Sequence, residues 1–152
     1  MLRKRKSLKR KTAKKLFEEL SSVFGELDAE RVESAVLEDV TVYLLDDVVE
    51  FVKDGDTIYP FLGGSHVDGL PRVVVDMGAI PYVCNGADVM APGITDMDSF
   101  EVDDLVVVRD VTHGKALAIG KALKSSSDIE ASRKGKVIGN LHYVGDNLWK
   151  AA

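Results

Sequence analysis

Cysteine, histidine and long apolar runs are scarce in this chain, and each scarcity excludes a class of protein. The single cysteine, Cys84, rules out an internal disulfide and a multi-cysteine metal site. The three histidines lie far apart, without zinc-ligand spacing. No run of about 18 apolar residues occurs, and the basic start is not followed by the apolar segment of a secretory signal. These features predict a soluble, cytoplasmic protein without membrane partners.

Motifs of catalysis are also missing. The chain has neither a dinucleotide-binding glycine fingerprint nor a P-loop. The segment Gly63-Gly64-Ser65-His66 lacks the pattern of a nucleophile elbow. Asp103 and Asp104 are neighbours on an extended segment, so their carboxylates point to opposite faces and suit acid/base work poorly. We therefore expect no catalytic residues, no metal site and no cofactor, which argues against an enzyme.

Charge is distributed very unevenly. Residues 1–15 contain nine Lys or Arg and no acid, residues 16–71 contain fourteen acids against two bases, and residues 72–152 are nearly neutral. Such a basic segment, predicted as the start of a helix, is suited to polyanions. The candidate RNA contacts in it are Arg3, Lys4, Arg5 and Lys6. The alternatives are a solvated tail, attraction to a membrane surface, or docking onto the acidic residues of the same molecule.

The first half has the pattern of a helix followed by a strand meander. Apolar residues at helical spacing follow Thr12, a candidate cap, and the helix is predicted to end at Gly25. The predicted strands are Arg31–Leu37, Val40–Leu45, Val48–Lys53 and Thr57–Phe61. Glycines and a proline then punctuate residues 63–71. We therefore predict an α+β domain over residues 1–70 and a second domain over residues 71–152.

The second half has the pattern of a β-barrel with short helices. Its predicted strands are Arg72–Asp76, Asp88–Met90, Leu105–Arg109, Lys115–Leu123, Lys136–Tyr143 and Leu148–Lys150. A helix is predicted over Gly78–Asn85 and a helical turn over Ser127–Arg133, with Ser127 as a possible cap. Short strands at regular spacing are typical of a closed or nearly closed barrel.

Two strings in this half resemble a known family. Val75-Asp76-Met77-Gly78-Ala79 and Val83–Ile94 place two Gly-Ala pairs eight residues apart, ahead of Pro92-Gly93. This resembles the start of PUA domains. The final string, Gly139–Tyr143 with Asp146–Trp149, resembles the malignant-T-cell-amplified translation-factor group and its archaeal relatives. The resemblance implies an α+β N-terminal domain followed by a mainly-β PUA pseudo-barrel.

That family implies a function in binding RNA. Its members bind structured RNA such as tRNA or small-subunit rRNA, and its eukaryotic members act with the small ribosomal subunit, so a second translation factor is a possible partner. Two alternatives stay open: a protein-interaction adaptor, and an accessory RNA-binding subunit of an RNA-modifying enzyme.

The candidate RNA contacts of the second half come from the glycine string and from one basic turn. Gly78, at the predicted start of a helix, would let a phosphate approach a helix N-terminus. Tyr82 could stack on a base. The alternative is that these glycines only shape turns, that Tyr82 and Tyr143 belong to the core, and that the lysines are solvated. The candidates are Met77, Gly78, Ala79, Tyr82, Gly86, Ala87, Gly93, Arg133, Lys134 and Lys136.

Overall fold

The computed structural model describes residues 1–152 and divides them into two compact units. The first comprises Met1–Gly69 with Ala151–Ala152, and the second comprises Leu70–Lys150. None of the helices has the length and apolar character needed to cross a membrane.

The first unit is built on a five-stranded antiparallel sheet whose strands follow one another in chain order. Two-residue turns connect its central strands, and at Asp46-Asp47 both residues have positive φ, 48° and 71°. That conformation matches the twist of a tight hairpin. The elements are β1 (Arg3–Ser7), α1 (Arg10–Phe24), β2 (Val32–Leu37), β3 (Val40–Leu45), β4 (Val48–Asp54) and β5 (Thr57–Pro60).

Helix α1 covers part of one face of this sheet. Its buried residues Leu16 and Leu20 share a core with Val32, Leu45 and the fully buried Phe51. The helix ends at Gly25, as predicted, where φ is 75°.

Its start differs from the prediction, because α1 begins after Lys9 and Thr12 lies within it. The basic residues before Lys9 were expected to be helical, and Arg3–Ser7 is instead an edge strand paired with β2. The unit consists mainly of strands with α1 as its one helix, so it is more β-rich than the predicted α+β domain.

The second unit is a six-stranded sheet in the order β7-β11-β10-β9-β6-β8, with β6 and β9 parallel and the other pairs antiparallel. Val73, Val75, Val106 and Ile138 are among its fully buried core residues. The mainly-β pseudo-barrel is therefore confirmed. The elements are β6 (Arg72–Val75), α2 (Ile80–Val83), β7 (Val89–Met90), a 3-10 turn (Ala91–Gly93), β8 (Ile94–Met97), β9 (Leu105–Asp110), β10 (Ala116–Ala122), α3 (Ser126–Ser132), β11 (Lys136–Tyr143) and α4 (Asn147–Ala151).

Three local predictions in this unit were wrong. The helix predicted over Gly78–Asn85 is the single turn α2. Ser125, not Ser127, caps α3 by accepting the N–H of Asp128 at 3.2 Å. The segment predicted as a final strand is helix α4, because Asp146 accepts the Trp149 N–H at 2.8 Å and so starts a helical turn.

Candidate nucleic-acid interface

A cavity beside α2 brings together half of the candidate residues of the second unit. Its volume is about 390 Å³. Five of its lining residues belong to the predicted set: Ala79, Tyr82, Ala87, Gly93 and Lys136. The others are Asp76, Val83, Asp88, Val89 and Met90. Residues from the glycine string therefore meet the start of β11, about fifty residues later in the chain.

Backbone hydrogen bonds shape one wall of the cavity. The Asp76 N–H donates to the Gly93 carbonyl at 2.9 Å, which joins the end of β6 to the 3-10 turn. The Asp76 carboxylate accepts the Ala79 N–H at 3.0 Å and closes the turn that leads into α2. A Cβ at Gly93 would meet the Cβ of Ala79 at 3.4 Å, an ordinary contact. A side chain at Gly93 would narrow the cavity, but the space around Gly93 does not itself require a glycine.

Gly78 lies beside this turn, and its expected position at a helix N-terminus was wrong. α2 has four residues and begins two residues later, so it contributes little dipole. A Cβ on Gly78 would meet only the Asp76 carboxylate, at 3.4 Å. The backbone at Gly78 is therefore open to close approach, which is the part of the prediction that the geometry retains.

Gly86 lies in the turn that follows α2 and has a φ of 94°. A Cβ there would lie 3.2 Å from the ring of Tyr143, which packs against the core. The structural interpretation, that Gly86 shapes a turn and Tyr143 belongs to the barrel, describes both residues.

Three apolar side chains near the cavity are unusually exposed. Tyr82 is 69% exposed, Met77 54% and Met90 47%. Tyr82 and Met90 line the cavity, while Met77 accepts a hydrogen bond from Thr112 at its sulfur, 3.0 Å away. An exposed ring beside a concave surface is suited to stacking on an unpaired base, and the two thioethers extend the apolar surface around it.

Asn140 and Asp88 support the cavity, although neither was among the predicted residues. The Asn140 amide donates to the carbonyls of Val83 and Ala87, both at 3.0 Å, and its backbone N–H donates to Asp88 at 2.9 Å. These bonds fasten α2 and its exit to β11. The Asn140 Oδ1 atom is buried without a partner. The presence of Asn140 in the family-like string Gly139–Tyr143 was the one signal in the sequence.

The basic residues of the turn between α3 and β11 differ in their contacts. Arg133 has a left-handed φ of 46°, donates to the Ile94 carbonyl at 3.1 Å and pairs with Glu130 at 2.6 Å. These bonds place Arg133 in the architecture of the turn. Lys134 is exposed, and Lys136 is the one basic residue that lines the cavity.

The basic residues of the first unit lie on β1, where Arg5 is held within the sheet. Its guanidinium donates to Glu33 at 2.9 and 2.8 Å and to Asp47 at 2.7 Å. Hydrogen bonding by Arg5 lowers the pKa of Glu33, and the same bond raises the pKa of Arg5. Of the alternatives for the basic segment, docking onto acidic residues of the same molecule is therefore the one that describes Arg5. Arg3, Lys4 and Lys6 are exposed.

The titratable groups do not converge on a catalytic arrangement. His142 is fully buried and its Nδ1 lies 2.7 Å from Asp146, whereas His66 Nε2 lies 2.9 Å from the buried Glu50. No group of three or more His, Cys, Asp and Glu side chains could hold a metal. Burial raises the pKa of the Cys84 thiol, which disfavours the reactive thiolate.

Comparison with known sequences identifies relatives along nearly the whole chain. The sequence model of the PUA domain family matches residues 71–144. A protein of Methanocaldococcus jannaschii is 41% identical over 158 positions, covering 97% of this chain and 96% of that protein. Translation machinery-associated protein 20 of Eremothecium gossypii is 32% identical over 156 positions, covering 95% and 86%. Human malignant T-cell-amplified sequence 2 is 39% identical over 95 positions, covering 60% and 49%.

Solved structures give the same picture. A hypothetical protein of Pyrococcus horikoshii superposes with a TM-score of 0.84 at 33% identity, covering 97% of this chain and 98% of that one. A chain from an H/ACA RNP bound to a substrate RNA superposes with a TM-score of 0.50 at 26% identity, over 62% of this chain and 29% of that one.

Proposed function

We propose that this chain, which belongs to the PUA-domain family that includes translation machinery-associated protein 20, is a non-catalytic RNA-binding protein of translation. Family membership confirms the resemblance drawn from the glycine string and from the final string. The names of the relatives place those proteins with the translation machinery, and a structural neighbour belongs to an RNP bound to RNA. Both observations support an RNA ligand for this chain.

The cavity beside α2 is the observation that carries the proposal. Its volume of about 390 Å³ is within the usual range of small-ligand sites. Ala79, Ala87 and Gly93 form part of its walls, and the exposed Tyr82 ring offers a stacking surface. Asp76 and Asp88 contribute acceptors, and Lys136 contributes the single ammonium. This chemistry is better suited to the donor groups and π-face of an unpaired base than to a row of phosphates.

The finer assignment follows from the relatives. We infer that the ligand is structured RNA, either tRNA or small-subunit rRNA, and that the protein works in the cytoplasm with the small ribosomal subunit and a second translation factor. In this interpretation residues 1–70 form a pre-PUA domain and residues 71–152 form the PUA domain.

Direct binding tests the proposal. Affinity for labelled tRNA and for small-subunit rRNA would be measured by fluorescence anisotropy at about 50 and 200 mM salt, the range over which phosphate contacts weaken strongly. Tyr82→Ala should weaken binding about fivefold to a hundredfold, because base stacking on an aromatic ring contributes about 1–3 kcal/mol. Leu123→Ala, at another exposed apolar position of the same unit, is the matched control and should bind as the wild type does.

Negligible binding to both RNAs at low salt would refute an RNA-binding function. Retention of a protein partner from RNase-treated lysate, together with that result, would instead favour the adaptor.

A further inference from the structure

A second concave surface lies in the first unit, between α1 and the uncovered part of the sheet. Its volume is about 510 Å³. We call it the β1 groove, because β1 forms one of its sides. Most of its lining side chains are cationic or carry a hydroxyl: Lys4, Lys6, Thr12, Ser34, Thr41 and Tyr43.

The basic residues of β1 fall into two groups, one that forms ion pairs within the unit and one that lines the groove. Arg5 bonds to Glu33 and Asp47 and so ties the edge strand to its neighbours. Lys4 and Lys6, on either side of Arg5, line the groove, and neither has a carboxylate within 4.0 Å. The strand therefore keeps its structural ion pair separate from two ammonium groups that face open space.

Ser34 supplies an independent observation. It is only 7% exposed, yet its hydroxyl makes no hydrogen bond within the chain and it lines the groove. The hydroxyl is not sealed from solvent, because the one fully buried polar side-chain atom without a partner is Asn140 Oδ1. The small exposed part of Ser34 therefore opens into the groove, where a ligand atom can replace water as the acceptor of its hydrogen bond.

Two neighbouring features make the groove favourable to an anion. Lys9 provides no capping side chain for α1, and the first turn of this 15-residue helix, where Thr12 lies, contains no acidic residue. The unpaired N–H groups of that turn and the helix dipole favour negative charge. Burial, assisted by the charge of Glu19, raises the pKa of Tyr43, so its phenol stays protonated and can donate.

We propose that the β1 groove binds a phosphate of the RNA backbone, with Lys4 and Lys6 neutralising its charge and Ser34 and Thr41 donating hydrogen bonds. This inference rests on the proposed function, because it assumes an RNA ligand. It adds a phosphate contact in the first unit and removes Arg5 from the set of contacts.

Paired charge variants test the groove with labelled tRNA and a small-subunit rRNA fragment. Lys4→Ala with Lys6→Ala should lower affinity about tenfold or more at about 50 mM salt, since hydrogen bonds to charged groups are among the stronger ones. The salt slope should fall by about 0.7–0.9, the change expected for one lost phosphate contact. Lys11→Ala with Lys14→Ala removes the same charge outside this groove and should leave the slope unchanged.

Ser34→Ala separates binding from folding. It keeps every charge, so affinity should fall about twofold to tenfold with an unchanged salt slope. The thermal midpoint should be nearly unchanged, because the Ser34 hydroxyl makes no hydrogen bond within the chain that the variant would remove. A lower midpoint with unchanged affinity would show that Ser34 serves the fold, and would overturn its assignment to the ligand.

The outcomes distinguish this proposal from the proposed function. Wild-type protein that binds neither RNA refutes the RNA-binding function, and the groove proposal with it. Wild-type binding that both double variants weaken equally overturns the groove alone, because the charge effect is then not specific to Lys4 and Lys6. Selective loss in the groove variants supports the proposal.

Discussion

Gly120 in strand β10 has no room for a methyl group, and replacing it with alanine should destabilise the second unit. An ideal Cβ at Gly120 would lie 2.4 Å from Cγ2 of Ile138 and 3.0 Å from the Gly139 carbonyl oxygen. Carbon atoms in favourable contact are about 3.5–4.0 Å apart, so the overlap with Ile138 exceeds about 1 Å. β10 is paired with β9 on one side and β11 on the other, which restricts any movement that would relieve it.

The expected magnitude follows from two opposing effects. Replacing a glycine in the interior of a strand would by itself stabilise by about 0.5–1 kcal/mol. Forcing extra volume into a well-packed core costs about 1–3 kcal/mol. We therefore expect Gly120→Ala to lower the free energy of unfolding by about 1–2 kcal/mol, measured by urea denaturation.

Gly139→Ala is the matched control on the neighbouring strand. Its Cβ would lie 3.6 Å from Leu123 and 3.7 Å from the Lys121 carbonyl oxygen, which are ordinary contacts. It should be as stable as the wild type or slightly more stable. In the Ile138→Ala background the effect of Gly120→Ala should be much smaller, because the overlapping methyl is gone and only the 3.0 Å contact with the Gly139 carbonyl oxygen is left. A Gly120→Ala variant as stable as the wild type would refute the packing argument.

Three other predictions concern the same unit. Asp146→Ala should lower the free energy of unfolding by about 2–3 kcal/mol in urea titration, because it removes acceptors for the buried His142 ring and for two backbone N–H groups. Hydrogen bonds from Arg72 hold the pKa of Asp98 below its usual value; its contribution to stability is therefore present above about pH 4 and is lost as the pH falls through the folded-state pKa. The urea midpoint should accordingly be lower at pH 3 than at pH 6, and Asp98→Asn should flatten that dependence. Gly78→Val should weaken RNA binding in anisotropy titrations while leaving the circular dichroism spectrum unchanged, because its Cβ meets no backbone atom.

Most strands could be predicted because their own residues favour the extended state. β3 and β11 begin and end where the β-branched pattern predicted. β8 was missed because Ile94–Met97 has a weak pattern of its own, and its strand state depends on pairing with β6. The prediction of a final strand at Leu148–Lys150 was wrong because apolar periodicity does not reveal a helix cap. The cap that starts α4 is the hydrogen bond from the Trp149 N–H to Asp146.

The sequence identified the segment that contains the candidate site, but not the full set of side chains that line it. The glycine string identified the segment that forms one wall of the cavity, because that string resembles a family with a known fold. Which side chains face the cavity depends on tertiary contacts. Arg133 was predicted as an RNA contact, but its guanidinium bonds to Glu130 and to the Ile94 carbonyl. Asn140 fastens α2 to β11 and was not singled out.

The two candidate surfaces differ in charge, and this difference predicts how their contributions to binding can be separated. The cavity of the second unit has two carboxylates and one ammonium, so it offers little attraction for phosphate. The β1 groove has two unpaired ammoniums and no lining carboxylate. Binding through phosphates weakens as salt rises, whereas base stacking is far less sensitive to salt. Tyr82→Ala should therefore weaken RNA binding by similar factors at low and high salt, while loss of Lys4 and Lys6 should matter mainly at low salt. If both variants showed the same salt dependence, the assignment of base contacts to one unit and phosphate contacts to the other would be wrong.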